Sequence, residues 1–351
     1  MKILIVKLGS IGDIVHTLPA LAAIRRALPH AEISWVVENR SAEILRPGRN
    51  QFLSRLIEVD TKALRHQESL GETLLIARQQ LRGLRASAFD IALDFQGLLK
   101  SASIAKLAKA RRRYGFAREA LREPASRFLL TGSVSVPRRI HVIRKNLALV
   151  EKALKIPVPE KDFEFPIFTE KAHVEEAEKI ISATGENFAI LNPAGGWATK
   201  LWHAEKFGAL ADKLWEENNL ISVIATAPNE NALAEKVLEN SKSGKAVAAN
   251  LSLKGLYELT KRARVYVGGD TGPTHLAAAA KAPIVGIFGA TEWWRNGSPN
   301  EMDICVERAD IGCRVDCHRR TCGNWICMDI PVETVFEAVQ KRLEKVVSGK
   351  R

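Results

Sequence analysis

The chain has 351 residues, 46% of them hydrophobic and 26% charged, which fits a globular protein with room for two full cores and excludes a disordered or fibrous one. No apolar run approaches the ~18 residues that a membrane span needs. The net charge of +12 points to acidic partners.

From the N-terminus, Met1-Lys-Ile-Leu-Ile-Val-Lys7 reads as a buried strand, too short and too soon interrupted for a signal peptide, so a cytosolic protein is expected. Leu8-Gly-Ser-Ile-Gly-Asp13 is a glycine loop, followed by a helix with Leu18, Leu21, Ile24 and Leu28 on its apolar face. Gly9-x-x-Gly12 is not the dinucleotide fingerprint, which counts against a nicotinamide oxidoreductase. Asp13 and His16 stand where a strand hands over to a helix, the end of an open α/β sheet at which ligands bind. An N-cap role for Asp13 is equally open.

Strands are expected at 33–37, 56–59 and 89–95, with helices at 71–85 and 98–108. Asp94-Phe-Gln-Gly-Leu-Leu-Lys-Ser101 again puts polar groups and a glycine behind a strand. This alternation predicts a parallel, doubly wound sheet. Residues 100–145 hold thirteen basic residues against two acidic ones, Glu119 and Glu123. Such a segment suits phosphate- or carboxylate-rich partners or an anionic membrane. No RNP, zinc-finger or helix-turn-helix signature accompanies it, so no nucleic-acid partner is expected. After a helix at 143–154, the Pro- and charge-rich stretch 155–166 is the best linker.

A second alternation follows. A helix at 172–183 and a strand at 188–191 lead to Asn192-Pro-Ala-Gly-Gly196, with Lys200 and Trp202 beyond. Next come a helix from about 204, a strand at 221–226, Ala227-Pro-Asn-Glu230 opening another helix, and a helix at 253–263. Val265-Tyr-Val-Gly-Gly-Asp-Thr-Gly-Pro-Thr-His-Leu-Ala-Ala-Ala-Ala280 then reads as strand, turn and Ala-rich helix. Pro273 suits the first helical position, and Asp270 or Thr271 the N-cap. The stretch is either an ordinary capped turn or an anion site, with Thr271, Thr274 and His275 on one rim. Residues 282–289 give a further strand and turn. All five cysteines fall late, at Cys305, Cys313, Cys317, Cys322 and Cys327. Without a C-x2-C pair their zinc signal is weak, and reduced thiols, zinc and redox roles all stay open. No Asp-x-Asp pair occurs in the sequence.

Val6-Lys-Leu-Gly-Ser-Ile-Gly-Asp-Ile-Val-His-Thr-Leu-Pro-Ala20, Asp94-Phe-Gln-Gly-Leu-Leu-Lys-Ser101 and Gly269-Asp-Thr-Gly-Pro-Thr-His-Leu-Ala-Ala278, in this order, resemble the heptosyltransferases of lipopolysaccharide core assembly, glycosyltransferase family nine. The similarity runs over nearly the whole chain. Trp35-Val-Val-Glu38 and Arg122-Glu-Pro124 lean toward heptosyltransferase I, while the cysteine cluster is more typical of type II-like relatives.

The resemblance implies an α/β protein of GT-B type, with two Rossmann-like, doubly wound domains facing a central cleft. Residues 1–160 would receive the acceptor and 167–330 the nucleotide sugar, with a final helix at about 331–348 for which a return to the first domain stays open. The implied reaction is inverting direct displacement of heptose from ADP-heptose onto Kdo of the inner core, without cofactor or metal, in agreement with the missing Asp-x-Asp pair, with Asp13 as general base and Lys200 neutralising the donor phosphates. Asn192, Gly195, Gly196, Glu230, Asp270, Thr271, Gly272 and His275 would bind the donor. Gly195 and Gly196 stand where other members carry hydroxyl side chains. Ser10, His16, Lys100, Arg122 and His141 would bind Kdo-lipid A. The expected enzyme is a cytoplasmic monomer, peripheral at the inner leaflet of the inner membrane. The alternatives are heptosyltransferase II or III, a relative using another nucleotide sugar, or a non-enzymatic basic binding protein.

Overall fold

The computed structural model describes residues 1–46, 52–61, 84, 88–228 and 230–347. The helix expected at 71–85 lies outside the described residues, apart from Leu84. The chain forms two compact units, Met1–Phe168 and Thr169–Arg351.

The first unit is built on strands β1 (Lys2–Val6), β2 (Glu32–Glu38), β3 (Arg55–Val59), β4 (Ile91–Asp94), β5 (Arg112–Phe116) and β6 (Gly132–Val134). They pair in the order β3-β2-β1-β4-β5-β6, every described pairing parallel. The central strands read as unbroken apolar runs because helices cover both faces of such a sheet. Ile3, Leu4, Ile5 and Val6 are fully buried. The helix expected after the first glycine loop is two helices, Ile11–Val15 and Leu18–Ala27. Pro19 in the first turn of the second favours a fresh start there. Leu18, Leu21 and Ile24 are fully buried on its inner face, as the periodicity predicts.

Strands β5 and β6 were not expected. Arg112-Arg-Tyr-Gly-Phe116 reads as part of a charged segment, and an outer strand carries such charges at little cost because one face meets water. Part of the basic segment is spent on the fold. Arg113 donates to the carbonyls of Leu129 (2.9 Å) and Ala110 (2.9 Å). Lys145 reaches the Ala120 carbonyl at 2.9 Å and lies 4.3 Å over the Phe116 ring, and Arg144 bonds the carbonyls of Pro159 and Glu160.

The second unit repeats the design with β7 (Phe188–Asn192), β8 (Ile221–Thr226), β9 (Ala246–Asn250), β10 (Val265–Gly269), β11 (Ile284–Phe288) and β12 (Ile304–Glu307). The order is β12-β11-β10-β7-β8-β9, again parallel throughout the described pairs. Strands β9 and β12, both outermost, also escaped the sequence reading. The final helix, Val332–Val347, packs on β11, β12 and the helix Ala204–Asn218 of this unit. Its Arg342, with no exposed surface, donates to Asp303 at 2.8 Å. This buried ion pair ties the helix to the second sheet.

In both sheets the strand order reverses once, between β1 and β4 and between β7 and β10. At such a point neighbouring crossovers leave in opposite directions and open a crevice at the strand ends. In register, Val6 pairs with Asp94 in the first sheet and Asn192 with Gly268 in the second. The three sequence motifs therefore begin at the two switch points.

Candidate functional site

At the second switch point, Gly269 ends β10 and Thr271 caps the helix Gly272–Ala279, with Pro273 in its first turn. Gly272, not Pro273, is the first helical residue. The next segment over is the 3-10 turn Ala198–Lys200, which lies directly on the strand end. A Cβ on Gly269 would stand 2.9 Å from the Lys200 carbonyl, so only glycine admits this approach. Gly269→Ala is expected to lower the thermal midpoint through overpacking of about 1–3 kcal/mol. Gly196→Ala, where a Cβ meets nothing within 4 Å, should melt like the parent. Equal melting of the two variants would show that the contact does not demand glycine.

The turn delivers Lys200 to Asp270. The ammonium lies 2.6 Å from Asp270 Oδ2 and 3.1 Å from its carbonyl, and 4.3 Å over the Trp197 ring. His275 Nε2 lies 3.1 Å from Asp270 Oδ1, and the Asn296 amide donates to Oδ2 at 3.3 Å. Burial by itself would raise the Asp270 pKa. The hydrogen bond and charge of His275, then those of Lys200, outweigh it and hold the carboxyl far below the usual carboxylate range. His275 and Thr274 are buried, and the Thr274 hydroxyl donates to the Gly269 carbonyl at 2.5 Å. The rim expected from Thr271, Thr274 and His275 is therefore mostly an internal scaffold. His275 orients Asp270, and Thr274 closes the turn. Thr271 Oγ stands 3.5 Å from Asn192 Oδ1, and the Asn192 amide donates to the Ala225 carbonyl at 2.8 Å, so Asn192 ties β7, β8 and the helix cap together.

Gly195 is tight, with a Cβ due to meet Leu201 at 2.9 Å, whereas Gly196 is open. Glu230 caps the helix Asn231–Glu239 and accepts from the Ala227 N–H at 3.1 Å. The arrangement offers an anion the free N–H groups of a helix start and a lysine beside them.

At the first switch point Lys7, which the sequence reading overlooked, is the organising group. It is 5% exposed, and its ammonium lies 3.3 Å from Asp13 Oδ1 and 3.3 Å from the Phe95 carbonyl. The other Asp13 oxygen accepts from the Ser10 N–H at 3.1 Å and lies 3.4 Å from Ser10 Oγ. Asp13 thus is a helix-capping residue and is also a partly exposed carboxylate fixed at both oxygens. Beside it Asp94 is fully buried and accepts from the N–H groups of Gln96 (2.9 Å) and Gly97 (3.2 Å) and from Ser101 Oγ (3.0 Å). Burial pushes its pKa up to about 6, against the pull of those bonds and of Lys7. Gly97 supplies the positive φ of 72° that this turn requires.

His16 and His141 meet edge to face, ring centroids 5.9 Å apart. His141 caps the helix Val142–Leu154, its Nδ1 accepting from Ile143 N–H at 3.2 Å, which leaves Nε2 to carry the proton of the neutral ring. Asn146 on that helix donates to the His16 carbonyl at 3.0 Å. Lys100 is bound to Glu38 (2.8 Å) and Thr61 (2.6 Å), an arrangement the sequence did not suggest. Arg122 is exposed and makes no hydrogen bond or ion pair with a described residue. Its neighbour Glu123 accepts from the Leu99 N–H at 2.7 Å at the start of the helix Leu99–Leu107.

All five cysteines are free thiols. Among the described residues no three His, Cys, Asp or Glu side chains are set to hold a metal ion, so the zinc reading gains no geometric support.

Residues 77–324 match the family described as glycosyltransferase family 9 (heptosyltransferase). Lipopolysaccharide heptosyltransferase 1 of Pseudomonas aeruginosa is 30% identical over 328 residues, 92% of this chain and 87% of that protein. Lipopolysaccharide heptosyltransferase 3 of Escherichia coli is 22% identical over 96% of this chain and 98% of its own. E. coli heptosyltransferase WaaC with ADP superposes with a TM-score of 0.78 at 23% identity, covering 97% of this chain and 100% of that one. The same protein with ADP-2-deoxy-2-fluoro heptose gives 0.76 at 23% identity, over 97% and 99%. The fold is thus of the GT-B type.

Proposed function

This chain belongs to glycosyltransferase family 9, the heptosyltransferases, and from that premise we propose that it transfers heptose from ADP-heptose to Kdo of the lipopolysaccharide inner core. Type 1 relatives match at higher identity than the type 3 relative, which favours the first transfer over a later one. The observation that carries the donor half is the switch-point cluster of Lys200, Asp270 and Thr271. It sets a lysine beside a helix start, the combination a departing diphosphate needs. In the acceptor half, Asp13 takes the proton of the attacking hydroxyl as the bond to the anomeric carbon forms and the bond to ADP breaks, inverting that carbon. Lys7 and Ser10 hold the carboxylate for this step. Glu230 suits the donor ribose, and Ser10, His16, Lys100, Arg122 and His141 the anionic acceptor.

The test is a mass-spectrometric assay with purified protein, ADP-heptose and Kdo-bearing lipid A. A heptose-sized mass gain is expected. Activity only on an already heptosylated core would move the assignment to type II or III, and inactivity on both acceptors would refute the donor assignment.

The acceptor's lipid anchor calls for a membrane-facing surface, and no helix among the described residues is long and apolar enough to cross a membrane. The 3-10 helix Pro124–Leu129 presents Phe128, 84% exposed, directly after the exposed Arg127 and six residues beyond the exposed Arg122. It packs on the helix Leu99–Leu107, whose Leu99 and Leu107 are also exposed. An aromatic tip in a basic rim fits the interface of an anionic bilayer. Phe128→Ser is expected to weaken co-sedimentation with anionic phospholipid vesicles by about ten- to a hundredfold, from the loss of roughly 1.5–3 kcal/mol of apolar burial. Unchanged partitioning would remove this surface.

A further inference from the structure

We propose that Arg320, delivered by the cysteine-bearing loop, forms with Trp197 and Lys200 a second cationic wall for a nucleoside diphosphate. The inference rests on the donor-site reading of the second switch point and adds to it a residue that none of the three motifs contains.

The loop is seated on the Lys200 turn. Thr199 Oγ, buried, donates to the Arg319 carbonyl at 2.6 Å, joining residues 120 positions apart. The His318 N–H donates to the Ala290 carbonyl at 2.9 Å, and the Asp316 N–H to Glu292 at 3.0 Å, so the loop is pinned from the strand-end side as well. These bonds bring the Arg320 guanidinium 5.3 Å over the Trp197 ring, the same ring that the Lys200 ammonium approaches at 4.3 Å. Arg319 and Arg320 are both exposed. Arg295 lies 3.3 Å from His318 on the loop's inner side.

Charge balance says why two cations should converge there. Lys200 is already matched by the Asp270 carboxylate at 2.6 Å, so the pair attracts a diphosphate less than an unmatched lysine would. A helix start adds only about half an elementary charge. Arg320 has no carboxylate partner among the described residues, and its planar fork suits phosphate oxygens while its face rests on indole. The neighbouring acids are occupied, since Glu292 and Glu307 accept from the buried Arg314 at 3.5 and 2.7 Å. The free positive charge of this corner is therefore carried by the loop.

The test is calorimetric titration of ADP, UDP and GDP into the full chain and into Arg320→Gln and Arg320→Lys, at low and at moderate salt. Arg320→Gln is expected to weaken nucleoside diphosphate binding about tenfold and to flatten its salt dependence, with an unchanged melting temperature. Arg320→Lys should recover part of the loss, because charge returns without the fork. Parent-like affinity and salt dependence in Arg320→Gln would overturn the proposal. So would a loss accompanied by a lowered melting temperature and no recovery by lysine, since that marks a loop-folding role. If the parent prefers UDP or GDP and the variant still loses tenfold, the cationic wall stands and the ADP reading falls. Absence of binding by all three nucleotides to the parent overturns both.

Discussion

Asp13→Asn is expected to cut the transfer rate by about a hundred- to ten-thousand-fold, the range general-base catalysis supplies, while the affinity for ADP stays at the parent value. The substitution is mild for the fold. The amide oxygen can still accept the Ser10 N–H that the carboxylate now binds at 3.1 Å, so the first turn of the helix Ile11–Val15 keeps its cap. What is lost is the ability to take a proton and the charge opposite Lys7 at 3.3 Å. The two readings of Asp13 that the sequence leaves open separate here. A residue that only caps a helix would give a small drop in melting temperature and turnover near that of the parent. A general base gives near-parent melting and a collapse in turnover. Steady-state kinetics with a melting curve on the same sample therefore decides between them, and turnover within threefold of the parent would take Asp13 out of the chemistry.

Glycine and acid at a strand end were legible because the local chemistry is demanding. Gly269 is required by the Lys200 carbonyl 2.9 Å from its absent Cβ, and Gly97 by its positive φ. Central strands were legible as apolar runs. The outer strands β5, β6, β9 and β12 were not, since one open face tolerates Arg112-Arg or alternating Ala, and nothing local marks them. Site roles were less legible than site positions. Asp270 and His275 are five residues apart on one turn and could be paired by eye, yet Asn296 joins Asp270 from another helix and Arg319 meets Thr199 across 120 residues. Lys7 looked like the end of a strand. Only the pairing of β1 with β4 sets its ammonium between Asp13 and the Phe95 carbonyl, so its role is a property of the sheet.

Asp270→Asn is expected to be the most damaging change to the second unit, in stability and in donor binding together. The carboxylate is almost wholly buried and faces Lys200 at 2.6 Å and His275 at 3.1 Å. Removing one member of a buried pair leaves the other charge without its match, at about 3–5 kcal/mol. For a unit of this size that lowers the melting temperature by on the order of 10 °C. Acid should have the same effect on the parent. The folded-state pKa of Asp270 lies below its ordinary 3.8, so its contribution is complete above that value and disappears as pH falls through the folded value. Between pH 7 and pH 3 the parent should therefore lose part of its advantage over Asp270→Asn, and the two melting curves should converge as the acid limit is approached. Donor affinity adds a second discriminating readout. If Asp270 serves to hold Lys200 in place, ADP binding weakens about tenfold when the anchor is lost. If Asp270 merely neutralised Lys200, the freed ammonium would bind the diphosphate more tightly, and that gain would show the pair to be a charge reserve instead of a scaffold.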